Sequence, residues 1–121
     1  MDKPKRREHK LNSKYYEKDR LLLLEITEEI DHHVAEKLRR RADYEIERYM
    51  PKRVVFDFNR VVFMDSAGIG MLIGRYKTAN MFGGKLEICH VKDSVKKVFQ
   101  MCGILKIIPI CTDIEKIQEA G

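Results

Sequence analysis

From Leu21 to Gln118 short β-type runs alternate with segments of helical apolar spacing, and this alternation narrows the folds open to the chain. Leu21 to Ile30 begins with four leucines and continues in alternation through Ile26, Glu28 and Ile30, the pattern of a strand. Asp31 follows, a residue whose side-chain oxygen can accept from the free N–H groups of a first helical turn. Val34, Leu38, Ala42, Ile46 and Tyr49 then recur at helical spacing and predict an amphipathic helix over 33–50, stopped by Pro51. Val54 to Phe58 is β-branched and aromatic, as a central strand is. Val61 to Met64 reads as a buried apolar approach to the turn Asp65-Ser66-Ala67-Gly68. Ile69, Leu72, Ile73, Tyr76 and Ala79 predict a second helix over 67–81, ended by Gly83-Gly84.

The remaining elements continue the series. Lys85 to Val91 is expected as a strand. A third helix, capped by Asp93 or Ser94, carries Val95, Val98, Phe99 and Cys102 on one face and ends at Gly103. Ile107 to Ile110 is expected as a short edge strand, where Pro109 is tolerated, and Thr112 as the cap of a last helix through Gln118. Ahead of Leu21, Leu11 to Tyr16 predicts a strand and Glu17-Lys18-Asp19 a turn, which makes an opening hairpin. The order implies an α/β fold, largely parallel after that hairpin.

At 121 residues the chain is sized for one domain. With 36% charged residues and no apolar run longer than Leu21–Leu24, it does not read as a membrane protein or as a secreted one. Cys89, Cys102 and Cys111 form no CxxC pair and are expected as reduced thiols of a cytoplasmic protein. The net charge is +5, and three of those charges fall in residues 1–10, expected as a basic disordered tail ahead of a domain over 11–121. Such an arm is read as a solvated end, without nucleic-acid or membrane binding.

Chemistry concentrates at Phe63-Met64-Asp65-Ser66-Ala67-Gly68-Ile69-Gly70. A serine at a helix mouth faces unpaired N–H groups and the positive end of the helix dipole, so a phosphate would be held there. The plainer reading is an Asp/Ser helix cap. Gly68, Gly70 and Gly74 sketch a phosphate cradle, but Arg75-Tyr76 stands where a Lys-Ser/Thr pair would be needed, so the glycines are read as turn and packing residues. Asp31-His32-His33 and Cys89-His90 suggest no metal centre, because neighbours in sequence point apart. Ser66 lacks the G-x-S-x-G setting of a hydrolase. No catalytic residue, cofactor or metal is expected.

Taken in order, Asp31-His32-His33, Phe63 to Gly70, Gly74 to Lys77, Gly83-Gly84, Val95 to Phe99 and Gly103 to Ile108 resemble the anti-sigma-factor antagonists, which are single STAS domains. The nearest likeness is to the branch that answers the sporulation anti-sigma factor of sigma F. The resemblance covers about Leu21 to Ile110. It implies a STAS-type mixed β-sheet with an opening hairpin, covered by about four α-helices on one side. It also implies a non-enzymatic partner switch. Such a protein binds an anti-sigma factor with serine kinase activity and releases a sigma factor. It is turned off by phosphorylation, here of Ser66, and restored by a serine phosphatase. Asp31, Asp65, Ser66, Gly68 and Arg75 match positions implied in partner binding. Ala67 replaces a frequent second serine, Glu28 stands where a glycine is frequent, and the basic N-terminal extension is long for the family. The chain is expected as a monomer or weak dimer. The rival readings are a STAS subunit of a stress-sensing assembly and a small nucleotide-binding protein.

Overall fold

The computed structural model describes residues 11–120; the expected basic tail lies outside the described residues. Leu11–Tyr16 (β1) and Leu21–Ile26 (β2) form the opening antiparallel hairpin, with Leu11 opposite Ile26 and Tyr16 opposite Leu21. Arg53–Asp57 (β3) and Lys85–Cys89 (β4) extend it in parallel, so the sheet is mixed and runs β1-β2-β3-β4. The helices are His32–Tyr49 (α1), Ser66–Met81 (α2), Asp93–Cys102 (α3) and Ile114–Ala120 (α4), with a 3-10 turn at Ile104–Lys106. Among the described residues no helix is long and apolar enough to cross a membrane.

The period-two alternation of the strands decides which helix lies where. Leu22, Leu24 and Ile26 of β2, Val54 and Phe56 of β3, and Leu86 and Ile88 of β4 point to one face. There they meet Val34, Leu38, Ala42 and Ile46 of α1, Met71, Leu72 and Ala79 of α2, and Val95 and Phe99 of α3. Phe58 meets Phe99 edge-on at 5.4 Å, which seats α3. Removing each large side chain from water contributes roughly 1.5–3 kcal/mol. The intervening residues Leu21, Leu23, Val55 and Cys89 point the other way and pack with Cys111, Ile114 and Ile117. Three helices therefore share one face while α4 covers the opposite one, which corrects the expectation of about four helices on one side: β2 and β3 are apolar on both faces, and the second face needs a cover of its own.

Several local expectations change. β2 stops at Ile26, and Ile30 makes only an isolated bridge, to Met64, outside the sheet. β4 stops at Cys89, because His90 turns into the left-handed region at φ 56°. The edge strand at Ile107–Ile110 reduces to one bridge, Ile88 to Ile110. Neither Asp93 nor Ser94 caps α3: Lys92 is its N-cap residue and makes no side-chain cap bond. Cys102 is exposed rather than on the buried face. Asp113, not Thr112, immediately precedes α4, and its carbonyl accepts from Ile117 N at 3.2 Å. Gly70 and Gly74 do not permit close packing, since a Cβ at either position would meet nothing within 4 Å.

Candidate functional site

Two aspartates set the geometry around Ser66. Asp31 has extended backbone and its carboxylate accepts from Val34 N at 2.9 Å, which starts α1. Asp65 does the same for α2, accepting from Ala67 N at 2.8 Å. Each satisfies a donor that would otherwise be orphaned at the helix start. The residues ahead of the two caps are tied together. Ile30 N donates to Phe63 O at 3.2 Å, and Asp65 N donates to Ile30 O at 3.1 Å. This bridge sets the starts of α1 and α2 side by side, so two positive helix ends lie at one edge of the molecule. Gly68 makes the arrangement fit. A Cβ there would overlap the buried Met64 side chain and lie 3.2 Å from Ile30 Cγ2.

Ser66 is the first residue of α2 and is exposed. The loop leading to it is held open by its neighbours. The Glu29 carboxylate accepts from Val62 N at 3.2 Å and Phe63 N at 2.7 Å, and Ser94 Oγ donates to Val62 O at 2.8 Å. The loop is thereby not a buried strand, as expected, but a braced segment with Val62 and Phe63 more than half exposed. Beside it lies an apolar groove of about 480 Å³, where Asp65 and Ser66 meet Met64, Ile69, Val98, Met101 and Cys102. On the other side of α2 a second groove, about 260 Å³, runs against α1 and includes His32, Glu36, Arg39 and Gly70. Arg39 there is ion-paired with Glu36.

The structure thus brings Asp31, Asp65, Ser66 and Gly68 together. It does not bring Arg75 to them. That guanidinium is buried along α2, 2.7 Å from Asp43 of α1, and Nη1 donates to Met71 O at 3.4 Å. Burial pulls the Arg75 pKa down and the Asp43 carboxylate opposes this. Arg75 therefore holds α1 against α2, and any effect on a partner passes through that packing. Glu29 and Met101 were missed in the sequence, while Val62 and Phe63 were read as a buried approach and Ser94 as a helix cap rather than as a brace of this loop. Val62 and Phe63 gave no signal of their exposure, because apolar residues ahead of a turn read equally well as core.

The family profile of the STAS domain matches residues 12–117. The anti-sigma F factor antagonist of Paenibacillus polymyxa is 36% identical over 90 residues, covering 74% of this chain and 77% of that protein. The chain belongs to the STAS domain family, in its anti-sigma-factor antagonist branch. Solved structures share the fold. The anti-sigma factor antagonist SpoIIAA in its unphosphorylated form superposes with a TM-score of 0.74 at 24% identity, covering 91% of this chain and 95% of that one. The phosphorylated form of the Bacillus cell fate determinant SpoIIAA gives 0.67 at 23% identity, covering 92% and 99%.

Proposed function

We propose that this protein is an anti-sigma-factor antagonist of the cytoplasm, a binding protein and not an enzyme. In this reading it docks on an anti-sigma factor with serine kinase activity and so frees a sigma factor. The kinase phosphorylates Ser66, which ends the complex, and a serine phosphatase restores the free hydroxyl. The relative from Paenibacillus polymyxa is named for antagonism of an anti-sigma factor, and a structural relative is known in both phosphorylated and unphosphorylated forms. The observation that carries the reading is the position of Ser66. It is exposed, it is the sole hydroxyl of the Asp65–Gly68 turn, and it adjoins an apolar groove and the exposed Val62 and Phe63.

The chemistry of the switch follows from charge. Phosphorylation adds about −1.5 to −2 at neutral pH. The Asp31 and Asp65 carboxylates already occupy the adjacent helix starts. Two helix ends accommodate one more anion within the fold, whereas a partner that packs on the apolar groove must desolvate it. Modification should therefore weaken docking without unfolding the protein. Intact-mass measurement after incubation with the kinase and ATP tests the acceptor. One phosphate on the wild type and none on Ser66→Ala is expected; phosphate persisting on the variant would sink the assignment.

A further inference from the structure

Neighbouring residues in a strand point apart, yet Cys89 and His90 do not. β4 ends at Cys89, and the left-handed backbone of His90 turns the imidazole back over the chain. Nδ1 lies 3.6 Å from Cys89 Sγ and 3.1 Å from Asp57 Oδ1 at the end of β3. The three donor atoms all lie within 4.8 Å of one another. Cys89 and Asp57 are buried, while His90 is partly open to solvent, which supplies an entry path. Ligands on a tetrahedral zinc ion, at bond lengths of about 2.0–2.3 Å, stand roughly 3.3–3.8 Å apart.

The far side of the ring completes the pattern. Glu115 Oε2 of α4 is 2.7 Å from His90 Nε2. A carboxylate accepting from one imidazole N–H fixes the tautomer and leaves the other nitrogen with its lone pair free to bind a metal. That lone pair faces an Asp57 carboxylate oxygen 3.1 Å away, and two acceptors at that distance require a proton or a cation between them. Sulfur, imidazole nitrogen and carboxylate oxygen together suit zinc rather than calcium or magnesium.

We propose that Asp57, Cys89 and His90 form a zinc site on the sheet face opposite α2, with Glu115 orienting the histidine and the fourth position left to water. Binding replaces the Cys89 S–H bond by a sulfur–zinc bond and releases the proton to solvent. The bound ion ties the ends of β3 and β4 to α4 through Glu115.

Titration of the full chain with cobalt(II), followed by zinc displacement, tests this. Wild type should develop a thiolate-to-cobalt charge-transfer band that one equivalent of zinc removes, and zinc should raise its thermal midpoint. His90→Gly, which also relieves the left-handed backbone and so keeps the fold, should lose at least 100-fold in affinity together with the thermal shift. Cys89→Ser should lose the band, Glu115→Gln should bind about 10-fold more weakly, and Cys102→Ser, which changes the exposed thiol, should bind as wild type. Absence of the band in the wild type would overturn the proposal and leave His90 as a protonated bridge between two carboxylates. So would a band lost in Cys102→Ser but kept in Cys89→Ser, or zinc affinity in His90→Gly within twofold of wild type.

Discussion

Ser66 is exposed because its neighbours are fixed, and Gly68 is the residue on which that depends most. Its missing side chain lets the first turn of α2 settle on Met64 and Ile30, the pair that joins the two helix starts. Added bulk in such a close-packed place forces neighbours off their rotamers, typically at 1–3 kcal/mol. Gly68→Ala is therefore expected to lower stability by about 1–3 kcal/mol, read from the urea midpoint. An unchanged midpoint would mean that Met64 moves aside freely and that the bridge tolerates the change. The aspartates were legible in the sequence because an N-cap needs an acceptor at a fixed place beside a helical period. Gly68 was legible only as a turn residue, since the folding back of Met64 and the approach of Ile30 from a distant segment, which together crowd it, are set by the tertiary structure.

Among the elements, α2 carries an unexplained expense. Gly70 and Gly74 lie within it, where glycine costs about 1 kcal/mol relative to alanine, and neither has a neighbour that a methyl group would strike. Gly70→Ala and Gly74→Ala should each raise stability by about 0.5–1 kcal/mol, measured as a higher thermal midpoint. A fall in midpoint at either position would reveal a packing role that the structure does not contain. The docking of α4 offers a test with pH. Arg53 of β3 forks to Glu87, at 2.8 and 2.9 Å, and to Asp113, at 2.8 and 3.0 Å, beside the start of α4. The guanidinium holds the Asp113 carboxyl well below the usual carboxylate range. A depressed folded pKa gives stability that is present above the unfolded value, about 3.9, and fades as pH falls below it. Asp113→Asn should accordingly be less stable than wild type at pH 7, with the gap narrowing as pH falls below about 4. A gap independent of pH would show that the loss is one of packing.

At the scale of the whole molecule, what the sequence made legible was local order, and what it hid was contact between distant segments. Unbroken apolar or β-branched runs marked the central strands β2 and β3, and a period of 3.6 marked α1, α2 and α3, because buried residues recur locally wherever an element packs. The unbroken run Leu21 to Leu24 implies two buried faces, yet nothing local says that α4 takes the second one. His90 was misread for the same reason. The rule that neighbours diverge holds inside a strand, and β4 ends one residue earlier. Arg75 matched a family position, but its partner Asp43 lies on another helix, so its burial could not be foreseen from the motif. In the proposed switch, Ser66 carries the changing charge between two helix starts and an apolar groove. Affinity for the anti-sigma kinase, measured by calorimetry alongside circular dichroism for the unmodified protein, Ser66→Asp and the phosphorylated protein, tests this most directly. The aspartate supplies about one charge and lacks two of the phosphate oxygens, so it should weaken binding less than the phosphate does. Phosphorylation should weaken binding by at least ~100-fold, or ~2.7 kcal/mol, with the folded spectrum retained in all three. Equal affinity across the three proteins, or loss of binding only where the folded spectrum is lost, would contradict it.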